Sequence, residues 1–134
     1  MVKKTVVLLI AALLLLALGC AAKGDLESED TMYQKITPAQ AKERMESNAD
    51  AIILDVRTRS EYEAGHIEGA VLLPNENIGK TQPEVLPDLD AEILVYCRSG
   101  NRSAQAAKKL VSLGYTNVYD FGGIMDWPYG TVKP

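Results

Sequence analysis

The stretch Ile93-Leu94-Val95-Tyr96-Cys97-Arg98-Ser99-Gly100-Asn101-Arg102-Ser103 runs from an apolar segment into a polar turn, and Ala104-Gln105-Ala106-Ala107-Lys108-Lys109-Leu110-Val111 follows at once. Ile93 to Tyr96 has the pattern of a buried strand, and the segment after the turn that of an amphipathic helix. Cys97 therefore falls between a strand's carboxyl end and a helix N-terminus, the edge at which open α/β sheets bind ligands. Unpaired N–H groups and about half a positive charge sit at such a helix start. Arg98 and Arg102 add full charges to the same turn, and both effects favour thiolate over thiol. Gly100 permits a sharp turn in which loop N–H groups converge on an anion. A nucleophilic sulfur at the bottom of a small anion cradle is expected. The alternative, an inert buried cysteine, sits poorly with neighbours that are Arg, Ser, Gly and Asn.

Outward from this stretch, strands and helices alternate. Ile36 begins a short first strand. Thr37-Pro38-Ala39-Gln40 is a helix start with Thr37 as N-cap, Pro38 at the first position and Gln40 completing a capping box, and the helix runs to about Met45 or Glu46. Asn48 to Asp50 is a turn, and Ala51 to Leu54 a buried strand that ends at Asp55, at the same edge as Cys97 if the strands are parallel. Thr58 caps a short helix to Glu63 that Gly65 stops. Ala70 to Leu73 is a strand ended by Pro74, and 75–90, with Pro83 and Pro87, is the least regular part, with a short helix near Asn75 to Gly79. The helix from Ser103 to Leu113 turns Ala104, Ala107, Leu110 and Val111 inward and Lys108 and Lys109 outward; Gly114 ends it. Asn117 to Asp120 is the last strand, and Gly122 to Trp127 a short terminal helix. Such alternation predicts a mostly parallel sheet with helices on both faces.

Tyr96-Cys97-Arg98-Ser99-Gly100-Asn101-Arg102-Ser103 resembles the active-site loop of the rhodanese (thiosulfate sulfurtransferase) family. Leu54-Asp55-Val56-Arg57, Glu61-Tyr62, Gly65-His66-Ile67-Glu68-Gly69-Ala70 and Gly122-Gly123 with Trp127 match the family's pattern in order, so the resemblance spans Tyr33 to Trp127. It implies a single α/β/α domain with a five-stranded, mostly parallel sheet. It also implies a reaction: Cys97 takes the outer sulfur of thiosulfate or a similar donor as a persulfide and passes it to a thiol or to cyanide, with no cofactor. Arg98, Ser99, Gly100, Asn101 and Arg102 would bind the donor, with Asp55, Arg57 and Ser103 in support. Asp55 is expected as a structural carboxylate that pairs with an arginine or loop N–H groups, and Arg57 with Glu61 as a charge network bracing the loop. His66, the sole histidine, reads as a structural residue, and Trp127 as core. One histidine and one thiol cannot supply three or four metal ligands.

Two other functions compete. Phosphatases and arsenate reductases of related fold also use Cys on an N–H-lined loop ending in Arg, but with five intervening residues; the four here suit one sulfur atom better than a tetrahedral phosphate. A rhodanese-like module that binds sulfur species or a partner without turnover is the other, against which the presence of Cys97 counts.

The N-terminus reads separately. Val2-Lys3-Lys4, the apolar run Thr5 to Leu18, and Gly19-Cys20 have the order of a secretory signal, with an apolar core shorter than the roughly 20 residues of a spanning helix. Ala17-Leu18-Gly19-Cys20 resembles the bacterial lipoprotein cleavage box, with Ala17 and Leu18 in exchanged order. The expected organisation is a signal peptide over 1–19, a lipid-anchored acidic tether over 20–32 and the folded domain over 33–134. The protein is then exported and held by lipid on Cys20 at a membrane, facing the periplasm or the cell exterior. Of two cysteines, Cys97 is left without a disulfide partner, and a lone thiol outside the cytoplasm calls for a reason. Without 1–19 the chain has 12 basic and 18 acidic residues, a net charge of −6. That excludes nucleic acid and electrostatic membrane binding as expectations. Nothing demands more than a monomer.

Overall fold

The computed structural model describes residues 33–134; the signal peptide, Cys20 and the acidic tether expected over 1–32 lie outside the described residues. The chain order is β1 (Gln34–Lys35), α1 (Pro38–Ser47), β2 (Ile52–Asp55), α2 (Arg59–Ala64), β3 (Val71–Leu72), β4 (Ile93–Cys97), α3 (Asn101–Ser112) and β5 (Val118–Gly123). Short 3-10 turns occupy Asn75–Asn77 and Ile124–Asp126. The five strands form one sheet in the order β1-β5-β4-β2-β3, and every pairing is parallel. The sheet is therefore fully rather than mostly parallel.

Alternation along β4 divides the core in two. Ile93, Val95 and Cys97 join Leu54, Val56 and Val118 under Ala106, Ala107 and Leu110 of α3. Leu94 and Tyr96 join Tyr119 and Phe121 on the other face, beneath Ala41 of α1. β4 is buried at every position, as a central parallel strand should be. Ile78 and Leu86 from the irregular 75–90 segment complete the α3 side.

The capping box expected of Thr37 and Gln40 forms at α1, and Thr58 caps α2 as expected, with Glu61 completing a second capping box there. Other boundaries shift. β1 precedes Ile36, although the Ile36 N–H still donates to Asp120 O at 3.0 Å. β5 absorbs Gly122 and Gly123, because Gly123 pairs with Cys97 across a local irregularity in β4, and this leaves a 3-10 turn where a terminal helix is predicted. α3 starts at Asn101, two residues before Ser103, because Gly100 in left-handed geometry already turns the chain. Its buried face carries Ser103 and Ala106 in place of Ala104 and Val111, which are half-buried. Lys109 does not face away: its Nζ donates to Asn75 O at 2.9 Å and to Asn75 Oδ1 at 3.0 Å.

Candidate active site

Cys97 ends β4 and is 1% exposed. Gly100, at φ 106°, brings its N–H back onto Cys97 Sγ at 2.9 Å. Ser103, fully buried one turn into α3, sets Oγ 3.5 Å from the sulfur. As a thiol, Cys97 donates to this hydroxyl; as a thiolate, it accepts from it. The Ser103 hydroxyl also lies 3.1 Å from Gly100 O and 3.4 Å from Gly122 O, so it ties the two ends of the loop to β5. The first α3 amide to find a carbonyl is that of Ala104, on Gly100 O at 3.3 Å. The amides of Asn101, Arg102 and Ser103 precede it and have no intrahelical acceptor. The sulfur thus sits beside a cluster of N–H donors at a positive helix end.

Three arginines surround this loop and have three different fates. Arg57 is buried and bidentate on Asp55, with Nη2 to Oδ2 at 2.6 Å and Nε to Oδ1 at 2.9 Å, and it reaches Gly65 O at 2.8 Å. Burial works against the Arg57 charge, but the Asp55 carboxylate outweighs it and raises the guanidinium above its ordinary value. Arg102 is bidentate on Glu61 of α2, at 2.7 and 2.9 Å. That bond holds the Glu61 carboxyl down at about 2, well below its ordinary 4.5. Arg98 is exposed and has no carboxylate partner among the described residues. The single network expected around Arg57 and Glu61 is therefore two separate ion pairs. Arg102, expected on the donor, joins the loop to α2 through this pair.

Tyr96 has a role that the sequence reading left out. Its hydroxyl donates to Asp55 Oδ2 at 2.6 Å and accepts from the Ile67 N–H at 3.1 Å. Burial and the adjacent carboxylate push its ionisation far up, so it remains a neutral donor. The signal was available: a tyrosine inside a buried strand needs a partner for its hydroxyl, and Asp55 stands on the neighbouring strand at the same edge. Ser99 and Asn101 side chains are exposed. His66 has the structural place expected of it. It stacks on Tyr62 at 3.7 Å and 5°, and its Nδ1 donates to Tyr62 O at 2.9 Å. Among the described residues no group of three His, Cys, Asp or Glu side chains could share a metal ion.

β5 delivers Gly122 and Gly123 against the loop. The backbone at Gly123, φ −117° and ψ 149°, is open to any residue, but a Cβ there would lie 2.1 Å from Arg98 O and 2.6 Å from Ser99 Cα. Space, not conformation, therefore requires glycine. Trp127 packs against Phe121 at 5.4 Å, in the α1-side core as expected.

A buried cysteine on a strand-to-helix loop of this build, flanked by paired arginines, is the candidate site of a rhodanese-like α/β domain. Comparison with known proteins agrees: the rhodanese-like domain model matches residues 37–128, and the chain belongs to that family. Over 80 residues it is 34% identical to the thiosulfate sulfurtransferase PspE of Escherichia coli, covering 60% of this chain and 77% of that protein. Over 91 residues it is 38% identical to the thiosulfate sulfurtransferase GlpE of Pseudomonas fluorescens, covering 68% and 80%. The solution structure of the rhodanese-like domain of an Anabaena protein superposes with a TM-score of 0.67 at 30% identity, over 77% of this chain and 81% of that one.

Proposed function

We infer that this protein is a sulfurtransferase that carries sulfane sulfur on Cys97. The observation that supports it most is the Gly100 N–H on Cys97 Sγ at 2.9 Å, at the start of α3. It aims a fixed hydrogen-bond donor at the sulfur that the reaction uses as its nucleophile. The Cys97 thiolate attacks the outer sulfur of thiosulfate. A Cys97–sulfur bond forms, the sulfur–sulfur bond of thiosulfate breaks, and its electron pair leaves with sulfite. The amides of Asn101, Arg102 and Ser103 and the Arg98 charge face the developing anion, as an oxyanion hole does. In the second half-reaction an acceptor thiol or cyanide attacks the terminal sulfur, and the electron pair of that bond returns to Cys97 Sγ. This is ping-pong covalent catalysis on a monomer, without a cofactor.

The test is thiocyanate formation from thiosulfate and cyanide by the purified protein and its Cys97→Ser variant. Activity that vanishes in the variant is expected. A freshly reduced, folded parent that gains no sulfur by intact mass would point to a binding module and refute the reading. The leader supports a second part of the proposal: export, and lipid on Cys20 as the membrane anchor. A radiolabelled fatty acid should enter the parent and not Cys20→Ser; label in neither would remove the anchor.

A further inference from the structure

Asp120 is a buried carboxylate, 4% exposed, that the reaction as derived above does not use. Its backbone is held on both sides. It pairs with Lys35 of β1 and Val95 of β4, and its carbonyl accepts the Ile36 N–H at 3.0 Å. Val118 packs on the α3 side of the sheet, while Tyr119 and Phe121 pack on the α1 side. Alternation along β5 therefore turns the Asp120 side chain toward the α3 side, the side of Cys97. Among the described residues no ion pair neutralises this carboxylate. A buried charge is costly unless hydrogen bonds compensate it. Here the compensation is local: Asp120 Oδ1 accepts the Gly122 N–H at 2.9 Å.

That bond bears on the sulfur by two routes. An aspartate that accepts the N–H two residues on closes a tight turn, and the chain bends at Gly122, where φ is +88°. Gly122 O then stands 3.4 Å from Ser103 Oγ, and Ser103 Oγ stands 3.5 Å from Cys97 Sγ. Gly122 also backs onto Gly100: a Cβ on Gly100 would meet Gly122 Cα at 3.6 Å. The Gly100 N–H is the donor on Cys97 Sγ at 2.9 Å. One hydroxyl and one amide reach the sulfur, and both rest on the backbone of Gly122.

We propose that Asp120 is a positioning residue of the active site: by holding Gly122, it sets Ser103 Oγ and the Gly100 N–H on Cys97 Sγ. The proposal deepens the sulfurtransferase reading and rests on it for the use made of the sulfur. The acceptor oxygen carries the role, so an amide at position 120 can fill it and an apolar side chain cannot. Arg102 on Glu61 and the Met125 N–H on Arg98 O still tie the loop when the Asp120 bond is lost. The expected loss is therefore about tenfold, short of the roughly hundredfold of a full 1 Å misplacement.

Charging of Cys97 by thiosulfate is timed by intact mass, in buffer where urea curves show each variant fully folded. Asp120→Ala should charge about tenfold more slowly than the parent. Asp120→Asn keeps an oxygen for the Gly122 N–H and should recover the rate to within about threefold. Asp120→Val suits a buried strand and serves as the acceptor-free variant if Asp120→Ala does not fold. In combination with Ser103→Ala the two losses should not multiply, because both act on one hydroxyl; losses that multiply would show that Asp120 acts elsewhere. Amide hydrogen exchange by NMR gives a readout that needs no sulfur donor. The Gly122 and Gly100 N–H groups should exchange about tenfold faster in Asp120→Ala than in the parent or in Asp120→Asn. If the parent charges and Asp120→Ala charges as fast, or if Asp120→Ala and Asp120→Asn slow alike, the positioning role is overturned and the sulfurtransferase reading stands. If the parent takes up no sulfur from thiosulfate, that reading falls and exchange decides the rest: faster Gly100 exchange in Asp120→Ala upholds the placement, and unchanged exchange overturns it.

Discussion

Gly123→Ala isolates what positions the catalytic loop. The added Cβ would stand 2.1 Å from Arg98 O, 2.6 Å from Arg98 C and 2.6 Å from Ser99 Cα, all backbone atoms with no side chain to rotate away. Ordinary contact with a Cβ begins near 3.4 Å, so β5 and the loop must part by about 1.3 Å. The same displacement loosens the Met125 N–H to Arg98 O bond, now 3.2 Å, and moves the chain that sets Gly100 N–H on Cys97 Sγ. A misplacement near 1 Å lowers rate on the order of a hundredfold, and forced overpacking destabilises by about 1–3 kcal/mol. Gly122→Ala is the control. Gly122 has φ +88° and open space around its missing Cβ, so the variant meets about 1–2 kcal/mol of left-handed strain but no loop contact. Urea unfolding should place both variants at similar stability. kcat/KM for thiocyanate formation should fall about a hundredfold in Gly123→Ala and less than about fivefold in Gly122→Ala. Equal activity in the two variants would refute the argument that close approach to Arg98, rather than stability, makes position 123 glycine.

Asp55→Ala leaves the Arg57 guanidinium, 6% exposed, without its carboxylate, and should lower unfolding free energy in urea by about 3–5 kcal/mol; a loss under about 1 kcal/mol would show that Arg57 finds another partner. Tyr96→Phe removes one donor to Asp55 and one acceptor for Ile67 N–H, and should lower the same quantity by about 1–2 kcal/mol. Glu61 is held at about 2 in the folded protein against an ordinary 4.5, so its contribution is fully present above pH 4.5 and disappears as pH falls through 2. With the pair 32% and 28% exposed, that contribution is about 1 kcal/mol. Stability of the parent and of Glu61→Gln, measured against pH, should converge between 4.5 and 2; a gap that stays constant to pH 2 contradicts the assignment.

Local signals carried the fold far. The capping box at Thr37, the Thr58 cap, the apolar runs of β2 and β4 and the glycine stops at Gly65 and Gly114 mark where elements begin and end, because each depends on residues within four positions. Gly122 and Gly123 read as helix in the sequence and are strand in the structure for the opposite reason. Their strand state depends on pairing with Cys97, which no local pattern encodes. Lys109 reads as outward-facing for the same reason: its partner, Asn75, stands 34 residues away.

The site divides along a similar line, and charge makes the point best. Read from the sequence, the loop holds two arginines and should present two positive charges to an anion. In the structure Glu61, whose position in the α2 capping box is fixed by Thr58, also takes Arg102. The residue that starts α2 thereby pins the loop that starts α3. Asp55 does the same for Arg57 while receiving the Tyr96 hydroxyl from the residue just before Cys97. Each carboxylate cancels a charge and fixes a backbone at once. Arg98 and the amides at the α3 start are left without a carboxylate partner, and amides are bound to their place by the fold as no long side chain is. A cradle built this way needs little reorganisation as charge develops on an anion bound there, which is the condition under which fixed dipoles stabilise a transition state most.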